Sequence, residues 1–401
     1  MRFNFADVVR AARVGFSAKK IWVGFIGLLF GTILYSVMAY VAYACSPDWT
    51  WYEVWGQFKY IPVPVIGQTH FMWYGWVAWA VGIAFFVMMQ LLSIGAISKL
   101  TIEQLRGDEF YEVTDALKHS FKQWKSVILS PGVLVVFIAS LILVGFICGL
   151  IGRIPHAGQV LAGLFFIPVA FGAIFIVYLT IVFVLSLVLS PTIGTTTDSD
   201  TFDTLFELFS CLNDQTWRIV VWEAFVGVSS FAGVWIFGWL IKKSLILFQW
   251  AVGIWAGTRM IDGTAHSWWS TIWNNGLWYL SPCPPIQWVE NIIGRMVPIL
   301  IYPKVLMPVN VAEWIGGFLI GISFYFVAFL VMAYGISIWA AGQTLIYTVL
   351  VKIKDEKNLL EKKEEVFEEE EVEEKKEEKT EEKTEESACC QSKEKKEKEK
   401  K

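Results

Sequence analysis

Charged residues are scarce in most of this chain. Of its 401 residues 55% are hydrophobic and 17% charged, and 15 of the 33 Lys and Arg and 20 of the 37 Asp and Glu lie after position 351. Residues 1–351 therefore hold only 18 basic and 17 acidic side chains, whereas a water-soluble surface needs roughly 25% charged residues. An ordinary soluble domain is excluded for residues 1–351, and lipid must be the solvent for much of them.

Signatures of catalysis, metal binding and nucleic-acid binding are also missing. The six cysteines form no Cys-x-x-Cys pair, and no G-x-x-x-x-G-K-[ST], H-E-x-x-H or G-x-S-x-G sequence occurs. The balanced charge of residues 1–351 leaves no net basic face for nucleic acid. The sequence therefore predicts no catalytic residue, no cofactor, no metal and no nucleic-acid partner.

The chain contains several long runs of apolar residues. A transmembrane helix needs about 20 mostly apolar residues, and six stretches qualify: 21–45, 71–98, 127–151, 161–190, 219–241 and 314–351. A further apolar stretch, 244–257, has only 14 residues and follows Lys242 and Lys243, so it suits a re-entrant or interfacial helix better than a crossing. The predicted fold is all-α, a polytopic membrane bundle of six transmembrane helices.

The basic residues near the ends of these stretches predict the topology. Five precede the first span and five lie between the second and third, whereas the short loops 46–70 and 152–160 hold only Lys59 and Arg153. Because Lys and Arg concentrate in cytoplasmic loops, we predict a multi-pass protein of the inner or plasma membrane with both termini cytoplasmic. Residues 242–313 would lie outside despite their five basic residues, since the rule weakens for long loops.

A similar segment precedes spans 1, 3 and 5, at 7–16, 112–121 and 200–209. Each copy has an acid first, a small residue fifth, an apolar residue sixth and Phe tenth, and a Trp beside a basic residue follows. Apolar residues at helical spacing predict amphipathic helices at the cytoplasmic surface. We expect these side chains to enter the membrane interface: Phe16, Trp22, Phe121, Trp124, Phe209 and Trp217. Residues 1–354 would thus form three repeats of a surface helix plus a hairpin of two crossings, although charged juxtamembrane helices can look alike without duplication.

One resemblance to a known family rests on two stretches. Residues 185–193, followed by Asp203-Thr204-Leu205 and Trp217-Arg218, resemble the integral-membrane domain that accompanies some bacterial glycerophosphodiester phosphodiesterases, and also related multi-pass families of unknown function. Residues 343–355 are similar to the way the uncharacterised relatives end. Thr195-Thr196-Thr197 departs from the pattern, and no catalytic barrel is present. The resemblance implies a membrane module without a catalytic residue.

The predicted outer loop, 258–313, is rich in Trp. The five Trp residues favour an aromatic belt at the membrane interface over a platform that stacks on sugars or quaternary amines. Asp262, His266 and Glu290 are too scattered to predict a metal site. Cys45 and Cys283 would both lie outside, and the third cysteine near that face, Cys148, weakens the case for a disulfide between them.

Few polar side chains fall within the spans. Glu223 is predicted to reach the cytoplasmic interface near Arg218, with a pathway or coupling role as the alternative. Gln90 and Gln343 are expected to form interhelical hydrogen bonds.

The function predicted from these features is non-catalytic. Residues 355–401, almost entirely Glu and Lys, are predicted to be a disordered cytoplasmic tail. The protein would be a scaffold or accessory module that organises lipid or protein partners, with the bilayer, a cytoplasmic protein bound by the tail and a second copy of the chain as partners. A transporter or channel with a path through the repeats is the alternative, and an enzyme acting at the outer loop ranks third.

Overall fold

The computed structural model describes residues 8–64, 69, 71–154, 157–255, 258–261, 264–280, 310–356 and 358–361. The chain divides into two units, 1–357 and 358–401. In the second unit, Asn358 Nδ2 donates a hydrogen bond to Glu361 Oε1 at 2.8 Å within a short turn. The predicted disorder of the tail falls almost wholly on residues outside the described ranges.

Helices make up nearly all of the described part of the first unit. They are α1 (Ala11–Gly15), α2 (Ala18–Ala44), α3 (Trp51–Phe58), α4 (Trp73–Arg106), α5 (Val113–Lys122), a π-helical turn (Lys125–Leu129) leading into α6 (Ser130–Ile151), α7 (Ala157–Leu164), α8 (Phe166–Thr197), α9 (Thr201–Trp255), α10 (Trp268–Leu280) and α11 (Val311–Asp355). A small antiparallel hairpin of β1 (Thr258–Ile261) and β2 (Thr264–Ser267) pairs Arg259 with His266.

The prediction of an all-α fold with six membrane-spanning helices is confirmed. Six helices among the described residues are long and apolar enough to cross a membrane: α2, α4, α6 together with its π-helical turn, α8, α9 and α11. Each contains one of the six stretches chosen from the sequence, or nearly all of it. The chain is therefore a multi-pass membrane protein.

Helix α9 differs from the prediction for residues 244–257. The described part of that stretch, 244–255, continues α9 without a break, and the only non-helical backbone inside α9 is at Gln215. Lys242 lies about 40 Å along the helix from Gln215, at 1.5 Å per residue, which exceeds the roughly 30 Å of bilayer hydrocarbon. Helix α9 is therefore longer than one crossing requires, and its residues 244–255 do not form a separate re-entrant or interfacial helix.

Close helix contacts hold the bundle together. A Cβ on Gly27 of α2 would overlap Ser93 of α4, and one on Gly342 of α11 would overlap Val226 of α9. Small residues let transmembrane backbones approach closely, and dispersion contacts then replace the hydrophobic effect that lipid cannot supply. These two interfaces are therefore packed without space for further atoms.

The three predicted juxtamembrane segments are helical but differ in form. The first is the five-residue helix α1, and Phe5, which the predicted stripe contained, lies outside the described residues. The second is α5, which the π-helical turn joins to α6. The third is the first part of α9, up to the kink at Gln215. Common ancestry of the three segments stays a prediction.

Candidate functional site: the polar end of the bundle and a buried carboxyl–amide pair

All three juxtamembrane segments dock on one end of the bundle through a face of small or aliphatic residues. The fifth residue of each segment is buried, and so is the ninth: Ala11 and Gly15, Ala116 and Ser120, Thr204 and Leu208. These positions are four residues apart and thus share one helix face. We call this end, formed by residues 8–20, 98–130, 190–215 and 337–355, the polar end.

The first segment docks by direct backbone contact. Ser337 Oγ of α11 donates a hydrogen bond to the Gly15 carbonyl at 2.6 Å, and a Cβ on Gly15 would lie 2.6 Å from Ile338 Cα. The fully buried Lys20 Nζ donates to the Val14 carbonyl at 2.9 Å and to Gln104 Oε1 at 2.7 Å. Lys20 therefore ties the start of α2 to the end of α4.

Buried hydroxyl groups dock the second and third segments. Ser120 Oγ of α5 donates to the Leu92 carbonyl of α4 at 2.7 Å, and Ser126 Oγ shares a hydrogen bond of 2.7 Å with Thr204 Oγ1 of α9. Hydrogen bonds of this kind join transmembrane helices, and each buried hydroxyl group keeps a hydrogen-bond partner.

Two ion-pair groups at the polar end consist of buried or partly buried side chains. Glu103 Oε1 of α4 contacts Arg106 at 2.9 Å and Lys99 at 3.4 Å, and all three side chains are largely buried. Lys354 Nζ of α11 contacts Glu207 Oε2 of α9 at 3.2 Å. The second pair fixes the third juxtamembrane segment to the end of α11.

The predicted interface aromatics point away from these docking contacts. Five of the six are exposed and the last is partly exposed: Phe16, Trp22, Phe121, Trp124, Trp217 and, partly, Phe209. Arg218 lies over the ring of Trp217, 5.4 Å from its centroid. This is the arrangement expected of side chains that meet lipid, with the small faces of the segments bound to protein.

Glu223 has a hydrogen-bond partner on another helix. It does not pair with Arg218, which instead donates to Gln215 Oε1 at 2.8 Å. Gln343 Nε2 of α11 donates to Glu223 Oε2 at 2.7 Å. Two predicted polar residues, 120 positions apart in the chain, thus form one buried pair between α9 and α11.

Gln90 lies apart from that pair. Its Nε2 atom is buried and is hydrogen-bonded to no acceptor among the described residues, and it would be 3.4 Å from a Cβ on Gly31 of α2. The structure thus places Gln90 in the α2–α4 interface, without the interhelical hydrogen bond expected there.

Part of the outer loop forms core instead of an aromatic belt. Trp273 of α10 is buried edge-on against Phe324 of α11, with ring centroids 4.9 Å apart, and Trp269 Nε1 donates to the Gln249 carbonyl at 3.2 Å. The side chains of Trp278 and Trp288 lie outside the described part, as do Asp262, Cys283 and Glu290. Within the described ranges no three His, Cys, Asp or Glu side chains are grouped to hold a metal.

Sequence reasoning missed Lys20, Lys99 and Glu103 as interior groups. The sequence predicts Lys20 and Lys99 only as charges that mark a membrane boundary and assigns Glu103 no role, whereas all three are buried in the structure. The one available signal was spacing: Lys99, Glu103 and Arg106 are four and three residues apart, the distances at which helical side chains meet.

Comparison with known proteins yields no relative. No family model matches the chain, and no curated protein or solved structure does either. The resemblance to the membrane domain that accompanies phosphodiesterases therefore stays a prediction, and the functional argument rests on the geometry alone.

The polar end predicts an acid-sensitive contribution to stability from Asp198. His119 Nε2 lies 2.9 Å from Asp198 Oδ1 and 3.2 Å from the Thr195 carbonyl. The hydrogen bond from His119 lowers the pKa of Asp198, against the effect of partial burial. Because the folded-state pKa is the lower one, the contribution is complete above the unfolded Asp pKa of about 3.9 and is lost as the pH falls through the folded value.

We expect Asp198→Asn to lower the free energy of unfolding at neutral pH by no more than about 1 kcal/mol, because half of the Asp198 side chain is exposed and solvent screens the pair. Asn tolerates the left-handed backbone of this position, φ 56°. Unfolding in mixed micelles, followed by circular dichroism from neutral to acidic pH, measures the effect. In a His119→Gln background the same substitution should have a smaller effect, because only the weaker interactions of Asp198 with Lys99 and Gln123 remain; an equal effect in both backgrounds would contradict the pairing.

Proposed function

We propose that this protein is a non-catalytic membrane scaffold that binds and orders lipids of the cytoplasmic leaflet around its polar end. The observation that carries the proposal is the fixed division of each juxtamembrane segment into two faces. The small face is bound to the bundle, and the aromatic face, represented by Phe16, Phe121 and Trp217, is held outward. Amphipathic helices with this pattern lie in the headgroup region of a bilayer.

The bundle is packed in a way that supports a structural role. Added Cβ atoms at Gly27 and Gly342 would overlap neighbouring helices, as described above, and Ser230 Oγ donates to the Gly335 carbonyl at 2.8 Å across the α9–α11 interface. A framework held by such contacts keeps three surface helices at constant positions. Lipids that bind them are then ordered relative to one another.

The assignment of the polar end to the cytoplasm is part of the proposal. It is supported by the basic residues at this end, among them Lys19, Lys118 and Lys122, which are typical of cytoplasmic segments. Anionic lipids enriched in that leaflet attract Lys and Arg near the surface. The inner or plasma membrane is the membrane that this argument favours.

The test compares lipid binding at the two ends of the bundle. A polar-end variant carries Phe16→Gln, Phe121→Gln and Trp217→Gln, and an opposite-end control carries Trp51→Gln and Tyr52→Gln, which replace two exposed aromatics on α3. Full-length proteins are extracted from vesicles of phosphatidylcholine and phosphatidylglycerol, and the retained lipids are counted by native mass spectrometry. We expect the polar-end variant to lose phosphatidylglycerol several-fold and the control to keep it.

Equal retention by all three proteins, or equal loss from both variants, would contradict the proposal, because aromatic anchoring would then be absent or the same at both ends. Circular dichroism of each variant checks that the helices remain folded. The substitutions remove none of the hydrogen bonds and ion pairs of the docking faces, and Phe16→Gln removes the edge-on contact of Phe16 with Tyr334 of α11.

A transporter or channel is the second candidate function. The buried Glu223–Gln343 pair favours it, because ionisable side chains within transmembrane segments often mark ion or proton pathways. A cytoplasmic protein that binds the charged tail, residues 355–401, and self-association of the chain are further partners that the sequence predicts.

A further inference from the structure

The carboxyl–amide pair between α9 and α11 has two oxygen atoms left over. Gln343 Nε2 donates to Glu223 Oε2 at 2.7 Å, while Glu223 Oε1 and Gln343 Oε1 are both buried and accept no hydrogen bond from any described residue. Gln343 is 0% exposed. The pair thus has one donor nitrogen, which carries two N–H groups, for three acceptor oxygen atoms, and one hydrogen bond joins the two side chains.

Such an arrangement is incomplete chemically. A carboxylate oxygen and an amide oxygen are both acceptors. Burial of an acceptor without a donor is unfavourable, because the hydrogen bonds to water are lost and none replaces them. A protonated carboxyl group, however, has one O–H donor and one C=O acceptor, and a primary amide has the same two functions. One proton on Glu223 would let the two groups bind each other through two hydrogen bonds.

Two other carboxylates of the bundle, those of Glu103 and Glu207, are matched by cations. Glu103 contacts Lys99 and Arg106, and Glu207 contacts Lys354. Glu223 has an amide in that place. Glu223 thus differs from Glu103 and Glu207 in having a neutral partner instead of a cationic one.

Two charged groups on the helices of the pair have other partners. On α9, Arg218 donates to Gln215, and on α11, Lys354 contacts Glu207. Tyr347, one turn from Gln343 on α11, is buried and carries a hydroxyl group.

The other elements packed against α9 bring few charges. Helices α6 and α8 contain no Asp, Glu, Lys, Arg or His, and neither does α10. Arg13, the one charged residue of α1, is exposed, and Arg10 before it is exposed as well. Lys125 is the charged residue of the π-helical turn, and it too is exposed.

The depth of the pair makes a bare charge costly. Glu223 lies about 12 Å along α9 from the kink at Gln215, and Gln343 about 16 Å along α11 from Lys354, at 1.5 Å per residue. Both helices are long and apolar enough to cross a membrane, and an isolated carboxylate within a membrane-spanning segment is strongly disfavoured.

We propose that Glu223 and Gln343 form a proton-binding site, in which Glu223 carries one proton on Oε1 and donates it to Gln343 Oε1. The ligand is a single proton taken from water, and the carboxylate becomes a carboxylic acid without any other change of bonding. Loss of this proton leaves Glu223 Oε1 and Gln343 Oε1, both buried, without a donor among the described residues. Proton binding therefore stabilises the contact between these two spans, and this inference does not depend on the lipid-binding proposal.

Infrared difference spectroscopy of the full-length protein in vesicles tests the site. The wild-type spectrum minus that of Glu223→Gln at neutral pH is expected to show the C=O stretch of a protonated carboxylic acid, which shifts in heavy water. The matched control is Glu53→Gln, because the exposed Glu53 accepts hydrogen bonds from Thr50 and its pKa is lowered by them. Its difference spectrum should contain only carboxylate bands.

A second variant keeps the carboxyl group and removes the amide. Gln343→Leu is expected to move the acid band to the higher frequency of a carboxyl group without a hydrogen-bond partner, which shows that Gln343 is the acceptor. A wild-type spectrum at neutral pH with carboxylate bands alone at Glu223, or an acid band unchanged in Gln343→Leu, would overturn the proposal. Should Glu223→Gln fail to fold, the heavy-water shift of the wild-type band and its response to Gln343→Leu decide the question.

Discussion

Replacing Glu103 by Gln is expected to lower the free energy of unfolding by about 3 kcal/mol or more, the cost of breaking a buried ion pair by removing one partner. The Glu103 side chain is 12% exposed and contacts both Arg106 and Lys99. Without the carboxylate, two positive charges remain in a region where water is largely excluded. Equilibrium unfolding in mixed micelles, followed by circular dichroism, measures the loss.

The matched control is an exposed pair with the same spacing. Lys118 Nζ lies 3.5 Å from Asp115 Oδ1, and the two side chains are 80% and 52% exposed. Asp115→Asn should change the free energy of unfolding by less than about 0.5 kcal/mol. Similar losses from Glu103→Gln and Asp115→Asn would show that burial at the polar end does not strengthen the Glu103 contacts.

The second large effect is expected from Gly15→Ala, which should cost about 1–3 kcal/mol through overpacking. The added Cβ would lie 2.6 Å from Ile338 Cα and 2.9 Å from the Ile338 backbone nitrogen. Backbone atoms within a long helix cannot move aside as the end of a flexible side chain can. Separation of α1 from α11 would also break the hydrogen bond from Ser337 Oγ to the Gly15 carbonyl.

Gly145→Ala in α6 provides the control of opposite sign. A Cβ there would meet nothing within 4 Å, and Ala favours a helix over Gly by up to about 1 kcal/mol. Thermal unfolding of the two variants in the same detergent compares them directly. If Gly15→Ala is as stable as the wild type, the close contact between α1 and α11 is not needed to hold the N-terminal segment.

The proton site and the lipid-binding surface use different parts of the bundle. Lipid binding depends on aromatic residues such as Trp217, which lie on the outside of the polar end, whereas the proton site depends on Glu223 and Gln343, which lie between two spans. A Gln343→Leu protein that still binds phosphatidylglycerol would separate the two properties. Each proposal can therefore be contradicted without affecting the other.

The exposed aromatic face of each surface segment was predictable because spacing and side-chain type determine it locally. The opposite face was not: nothing near Gly15 in the sequence shows that Ile338 will lie against it. Ala116 and Thr204 have the same limitation, since the reason for their small size is a neighbour far along the chain. Trp273 on α10 is a case in which local sequence misleads. Its aromatic side chain predicts a place at the membrane interface, but in the structure Phe324 covers it.

The sequence by itself determined the solvent and the number of crossings, because charge content and the length of an apolar run are local properties that must match the thickness of a bilayer. Tertiary structure alone decided which polar groups are buried and with what partners. The position of Glu223 opposite Gln343, rather than beside Arg218, results from the packing of α9 against α11. The state of that carboxyl group depends on the partner that this packing brings within hydrogen-bond distance.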